Sequence, residues 1–103
     1  MPSGTSYFEL SVHCQDARGQ VFYRLYTYLE DWERRVWREQ AAGKVKEMAR
    51  ITGLLDVLRS KNIIPLEEPA SGQIVEGRAM GRWIQGAEKV LNHGRSVWLI
   101  RDA

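Results

Sequence analysis

The sequence predicts a small α+β fold, and three observations lead to this prediction. Residues 7–14 alternate between apolar and polar side chains, a spacing of three and four residues between 22 and 36 is typical of a helix, and four consecutive apolar residues at 97–100 predict a last strand. The 103 residues, of which 44% are hydrophobic, suffice for a single domain over residues 1–103. The predicted order is β–α–α–(β)–α–β, a helical hairpin packed on a small sheet formed by the N- and C-terminal strands.

The first predicted element is a strand from Tyr7 to Cys14. Successive side chains of a strand point to opposite faces. The apolar face of this strand consists of Phe8, Leu10, Val12 and Cys14. Residues 15–19 are predicted to turn, and Asp16 is placed to cap the element that follows.

The segment after this turn is compatible with two structures. The residues Phe22, Leu25, Leu29, Trp32 and Val36 are spaced by three and four, the period of one buried helix face. The alternative is a hairpin whose second strand covers residues 20–29, because that stretch is rich in residues that favour strands. We prefer the helix, over residues 20–42, because the spacing continues unbroken to Val36.

A second helix is predicted over residues 44–61. Its apolar positions are Met48, Ile51, Leu55 and Leu58. From Val36 to Met48 a continuous helix turns through about 120°, so a single straight helix would bury two different faces. Gly43 is a natural C-cap between the two sets, and the chain is therefore predicted to fold back there.

The remainder is predicted to contain one helix and two strands. Residues 62–72 form a connection with two prolines, and residues 73–76 a short strand. The spacing of Met80, Ile84, Ala87 and Leu91 predicts a third helix. Residues 96–101 then form the terminal strand, which is expected to pair with the first.

Charge and cysteine content narrow the class of protein. The net charge is only +2, but residues 17–62 hold ten Lys or Arg against six Asp or Glu, an excess of +4. The chain has one cysteine, no apolar run of membrane-spanning length, and an N-terminus unlike a signal peptide. We therefore expect a cytoplasmic location and no membrane association.

The back of the predicted first helix is the candidate partner-binding surface. On a helical wheel four arginines lie opposite the apolar stripe, with two aromatic residues at their flank. The candidate residues are Arg24, Tyr26, Arg34, Arg35, Trp37 and Arg38. Arginine beside aromatic rings suits an acidic protein surface or a phosphate backbone. The alternative is a solvated face neutralised by the pairs Glu30–Arg34 and Asp31–Arg35.

Three of the four tryptophans have predicted positions. Trp32 and Trp98 are expected in the core. Trp37 lies off the centre of the apolar stripe and is the tryptophan expected to be half exposed, a property typical of interface residues. The alternative is that Trp37 only widens the core face.

No catalytic, metal or cofactor site is predicted. Cys14 is expected in the core, His13 on the opposite side of the strand and His93 in a turn, so they form neither a thiol–imidazole pair nor a zinc site. The glycines 77, 81 and 86, with Arg78 and Arg82 between them, match no phosphate-binding motif.

We therefore expect a non-enzymatic protein-interaction domain, a regulator, adaptor or inhibitor of a larger assembly. By analogy alone, such compact chains are typical of phage or mobile-element accessory proteins, including inhibitors of host defence. A homodimer through the same helices is a special case. One alternative is a nucleic-acid-binding protein that uses residues 17–62. The other is a small enzyme whose site is assembled only in the fold.

Overall fold

The computed structural model describes residues 6–39, 44–69, 71–77 and 86–102, which form an antiparallel sheet and three short helices. The elements, in chain order, are β1 (Ser6–Asp16), β2 (Gly19–Tyr28), α1 (Asp31–Glu39), α2 (Val45–Thr52), α3 (Leu54–Ser60), β3 (Ile64–Pro65), β4 (Ser71–Glu76), β5 (Glu88–Asn92) and β6 (Arg95–Asp102). The α+β class is confirmed.

The sheet has the order β3–β1–β2–β6–β5, and β4 also pairs with β1. β3 pairs with residues 14–15 of β1 and β4 with residues 6–11. The first and last strands were predicted to pair, but β2 lies between them and pairs with both. The long β1–β2 hairpin is thus the centre of the sheet.

The predicted helix over residues 20–42 is wrong in its first half. Residues 19–28 form β2, so the hairpin alternative describes them correctly, and residues 31–39 are helical. Residues 40–42 lie outside the described part of the chain. Leu25 lies in the core while Phe22, on the other face of the strand, is 43% exposed. The spacing of three between them therefore joins two faces of a strand, and β propensity prevails over the apparent helical period.

The role predicted for Asp16 in the turn before β2 is also wrong. Asp16 does not cap a helix; its Oδ1 accepts a hydrogen bond of 2.8 Å from the backbone N–H of Arg18. A carboxylate that binds the N–H two residues on is typical of a tight turn.

The second predicted helix is present but interrupted. Residues 45–52 and 54–60 are helical, and Gly53 between them adopts φ 72°, a left-handed conformation that ends α2 and begins α3. Gly43, where the fold-back was predicted, lies outside the described residues. Within the described residues, three short helices are therefore found where a hairpin of two long helices was predicted.

The third predicted helix is contradicted where it can be examined. Leu91 lies in β5, and Val90 pairs with Val97 of β6. Met80 and Ile84 lie outside the described residues. His93 and Gly94 both have positive φ, 51° and 81°. Two consecutive positive φ angles are what a two-residue hairpin turn of type I′ requires, so this segment turns between strands.

The core lies between one face of the sheet and the helices. β1 contributes the residues predicted for it, Phe8, Leu10, Val12 and Cys14, all with no exposed surface. They cluster with β2 and β6 residues, and with Met48, Ala49, Leu54, Val57 and Leu58 of the helices. These helix residues share one apolar cluster with the core face of β1, and the opposite face carries the polar half of β1.

Candidate partner-binding surface

The six predicted partner-binding residues do not share one helix face. Arg24 and Tyr26 lie on β2, whereas Arg34, Arg35, Trp37 and Arg38 lie on α1. The helical wheel that placed them on one face assumed that a helix starts at residue 20, whereas residues 20–28 form a strand. The two groups have different surroundings.

Arg24 and Tyr26 belong to a hydrogen-bonded network on the sheet face opposite the core. The Arg24 guanidinium donates from Nε to Asp102 Oδ2 (2.8 Å) and from Nη1 to the Tyr26 hydroxyl (2.8 Å). The Tyr26 hydroxyl donates to Glu9, whose other oxygen accepts from Gln73 Nε2 (2.7 Å). Burial, and then the hydrogen bond to Glu9, raise the pKa of Tyr26 above its usual value.

This network connects four strands, β4, β1, β2 and β6, through side chains alone. Tyr26 has no exposed surface. The two residues therefore stabilise the sheet, and Tyr26 cannot contact a partner in this arrangement.

The inner face of α1 is anchored by Glu33. The helix begins with a capping interaction, because Glu33 Oε1 accepts a 2.8 Å hydrogen bond from the backbone N–H of Glu30. The other carboxylate oxygen pairs with Arg95 of β6, whose Nη1 also donates to the carbonyl of Tyr28 (3.0 Å). Glu33 is fully buried, so its charge depends on Arg95 for compensation.

Of the two tryptophans of α1, Trp32 is not in the core as predicted, and Trp37 follows the alternative in which it widens the core face. Trp37 is 9% exposed and packs edge-to-face on Phe8, with ring centroids 5.1 Å apart. Trp32 is 46% exposed, and its indole Nε1 donates to Glu30 (3.3 Å). α1 starts at residue 31, and its buried face contains Glu33 and Trp37, which are four residues apart. Trp32 lies on the other side of the helix and is therefore exposed. Trp98 was also predicted in the core, but it is half-buried on the opposite sheet face beside Tyr7.

The predicted ion pairs on α1 also differ. Asp31 pairs with Arg34 instead of Arg35, and Arg34 also donates to the carbonyl of Leu29 (2.5 Å). Arg35 and Arg38 are exposed, and neither forms an ion pair with a residue that the structure describes. We call Trp32, Arg35 and Arg38 the α1 outer surface.

A cleft of about 400 Å³ adjoins this surface. Its walls are formed by the end of β2 and by the β5–β6 turn, including Tyr28, Glu30, His93 and Trp98. Tyr28 is 47% exposed, and the Arg34 guanidinium lies over its ring at 5.5 Å from the centroid. Glu30 lines the cleft and also accepts the hydrogen bond from the Trp32 indole, so this side chain connects the cleft with Trp32.

A second cleft, of about 560 Å³, lies at the turn end of the β1–β2 hairpin. Here Asp16 accepts hydrogen bonds from Arg101 Nε (2.6 Å) and from the Tyr23 hydroxyl (2.5 Å). The Arg101 guanidinium, and then Tyr23, hold the pKa of Asp16 well below its usual range, and burial raises the pKa of Tyr23. A carboxylate held ionised in this way is a poor general base near neutral pH.

The sulfur and imidazole groups lie where the sequence predicts. Cys14 is in the core, where burial raises the pKa of its thiol to about 11. His13 points to the opposite face and its Nδ1 lies 3.0 Å from Glu67, while His93 lies in the β5–β6 turn. Among the described residues there is no cluster of three metal-ligating side chains. Of the glycine and arginine positions considered for phosphate, Arg78, Gly81 and Arg82 lie outside those residues.

The sequence pattern missed Trp32, Tyr28 and Glu33 as parts of this region. One local signal could have indicated them, since Glu30 and Glu33 have the spacing of a capping box. A helix that begins there would have determined on which helix face Trp32 and Trp37 each lie.

Comparisons with protein-family models, with curated proteins and with solved structures found no match. Among the described residues, no helix combines the length and the apolar character needed to cross a membrane.

Proposed function

We propose that this chain is a small protein-binding regulator, adaptor or inhibitor that contacts its partner through the α1 outer surface. The observation that carries the proposal is the position of Arg35 and Arg38. Both are exposed, without an ion pair among the described residues, and on the same helix as the exposed Trp32. Tryptophan and arginine are the residue types that most often dominate the binding energy of protein interfaces.

The role proposed is binding rather than catalysis. The Asp16 carboxylate is bound to Arg101, which lowers its pKa well below the usual range. An acid or base catalyst needs a pKa near the working pH, so Asp16 is unsuited to that role. The buried Glu33 carboxylate is bound to Arg95 and caps α1, which is a structural role. Inhibition of a host-defence assembly in the cytoplasm is the specific form of the proposal that the small, compact chain suggests.

The test is capture of a protein partner from a lysate of the cell in which the chain acts. The variant Trp32→Ala/Arg35→Ala/Arg38→Ala is compared with the wild type. We expect the variant to lose most of the captured partner, since it removes the two arginines that form no ion pair within the described part of the chain, together with their aromatic neighbour. A matched control is Arg50→Ala/Arg59→Ala, which removes two exposed arginines that pair with Glu47 and Asp56 on other helices.

Capture that is equal for the wild type and the α1 variant would refute the proposal, as would loss of capture by the control alone. Circular dichroism verifies that both variants are folded. Light scattering on the purified chain identifies the special case in which the partner is a second copy. In that case the wild type is a dimer and the α1 variant a monomer.

A further inference from the structure

The charges around the α1 outer surface indicate the chemistry of the partner. We infer that this surface binds an acidic segment of a protein, with two carboxylates on Arg35 and Arg38 and an apolar or aromatic side chain on Trp32. The inference rests on the proposed function and specifies the partner of the same site.

Arg35 and Arg38 differ from the other exposed helical arginines in what precedes them by three residues. Arg50 and Arg59 each pair with an acid one turn earlier, Glu47 and Asp56 respectively. Arg34 does the same with Asp31. The residues three positions before Arg35 and Arg38 are Trp32 and Arg35 itself. Among the arginines of α1–α3, only Arg35 and Arg38 therefore lack an acidic residue three positions earlier in the helix.

The acids that could substitute are engaged elsewhere or unpaired. Asp31, four residues before Arg35, is bound to Arg34, and Glu30 accepts the Trp32 indole hydrogen. Glu39 lies four residues after Arg35, and an acid that follows the arginine is in the less favourable orientation for a helical ion pair. Glu39 forms no ion pair with a described residue. The two guanidinium groups therefore keep their donors available to an external carboxylate.

The spacing of the three residues defines the shape of the ligand. Side chains three apart on a helix have Cβ atoms about 5–6 Å apart. Trp32, Arg35 and Arg38 therefore follow one another along one side of α1. Two carboxylates on alternate residues of an extended segment are separated by about 6.6 Å. Each can accept two parallel hydrogen bonds from one guanidinium.

A nucleic acid fits this surface less well than an acidic protein segment does. A long phosphate backbone requires an extended row of free cations. Within residues 17–62, six cations are paired with acids, namely Arg24, Arg34, Lys46, Arg50, Arg59 and Lys61. Arg18 lies far along the sheet in the hairpin turn, and Lys44 precedes α2. The exposed Glu39 would also meet a continuous row of phosphates with its own negative charge.

The experiment titrates the full-length 15N-labelled chain with three synthetic probes. The first is a peptide of three Phe-Glu-Ser-Glu repeats, the second is the same peptide with Gln in place of Glu, and the third is a twelve-nucleotide oligothymidine. NMR follows the indole N–H of Trp32 and the Nε–H of Arg35 and Arg38. We expect saturable, salt-sensitive shifts of these signals with the Glu peptide, and at least about tenfold weaker binding of the other two probes.

Variants make the result specific to the two arginines. We expect Arg35→Gln/Arg38→Gln to weaken binding of the Glu peptide by about tenfold or more, and Arg50→Gln/Arg59→Gln to change it by less than about twofold. Tighter binding of the oligothymidine would overturn the inference in favour of a nucleic acid. Equal binding of the Gln peptide, or unchanged binding by the first variant, would overturn it as well.

The two proposals can fail separately. If capture from the lysate depends on the α1 outer surface but the Glu peptide does not bind there, the acidic segment is wrong and the proposed function remains. If capture does not depend on this surface, the proposed function is wrong whatever the peptide does.

Discussion

The inner and outer faces of α1 each contain a tryptophan and charged residues, but in opposite situations. On the inner face, Trp37 is packed on Phe8, and the buried Glu33 is bound to Arg95. On the outer face, Trp32 is 46% exposed, and the charged residues Arg35 and Arg38 have no ionic partner among the described residues. Residue type alone therefore does not indicate which side chains of this helix stabilise the fold, whereas burial and, for the charged residues, an ionic partner do.

This contrast has an energetic basis. A charged group that is buried and paired contributes to stability only while its partner is present. An exposed unpaired arginine contributes little to stability, so its substitution should affect binding and leave folding intact. The inner face should therefore respond in unfolding experiments and the outer face in binding experiments.

The largest expected effect separates the two tryptophans. We expect Trp37→Ala to lower the free energy of unfolding by about 3–5 kcal/mol, because it leaves a cavity against Phe8. Trp32→Ala should lower it by less than about 1 kcal/mol, because much of that indole is already in water. Urea unfolding at neutral pH, followed by far-UV circular dichroism, measures both.

Each variant is the control for the other, because both remove a tryptophan side chain from the same helix. Similar losses for the two, or a larger loss for Trp32→Ala, would show that the inner and outer faces of α1 are assigned incorrectly.

The next effect concerns the glutamates. Glu33→Ala removes the cap of α1 and leaves Arg95 without its carboxylate, and we expect it to lower the free energy of unfolding by about 2–4 kcal/mol. Glu39→Ala, on the exposed side of the same helix, should change it by less than about 0.5 kcal/mol. The same urea titrations measure both changes.

A double-mutant cycle tests whether Glu33 acts through Arg95. If the two residues stabilise the protein as a pair, the effects of Glu33→Ala and Arg95→Ala should be non-additive by more than about 1 kcal/mol. Additive effects would mean that Glu33 acts only as a helix cap.

Much of the fold follows from local pattern. The alternation of β1, the apolar centre of β6 and the apolar spacing of residues 48–58 all correspond to elements of the structure. β2 does not, because its residues satisfy two periods at once. Leu25 of β2 and Leu29 directly after it are four apart, which fits a helix turn and equally two strand repeats. The pairing of β2 with both β1 and β6 decides between them, and that pairing is not local.

The candidate surface was predictable in part. Arg34, Arg35 and Arg38 lie on a helix as expected, and the lack of an acid three residues before Arg35 and Arg38 is visible in the sequence. The burial of Glu33 is not visible there, because its partner Arg95 lies 62 residues later in the chain. The burial of Tyr26 likewise depends on Glu9 and on neighbouring strands that a helical wheel does not represent.

The smallest expected effect occurs only at acid pH and concerns the ion pair of Arg101 with Asp16. This arginine resembles Arg95, because it holds a carboxylate, Asp16, at the turn end of the β1–β2 hairpin. Arg101 lowers the pKa of Asp16 below its value of about 3.9 in an unfolded chain. A carboxyl group with a lowered folded-state pKa stabilises the protein above the unfolded value, and this stabilisation is lost as the pH falls toward the folded value.

We therefore expect the stability advantage of the wild type over Asp16→Asn to be full at pH 7 and to shrink steadily below about pH 4. Chemical unfolding at pH 7, 5, 4, 3 and 2 measures the difference. Asp56→Asn is the control, because its carboxylate is 66% exposed and pairs with an exposed arginine, so the corresponding difference should be small at every pH. The absence of a difference between the wild type and Asp16→Asn at any pH would mean that Asp16 acts only through the hydrogen bonds of its turn, which an asparagine side chain can also accept. In that case Arg101 would belong with Arg35 and Arg38, as an arginine that folding does not require.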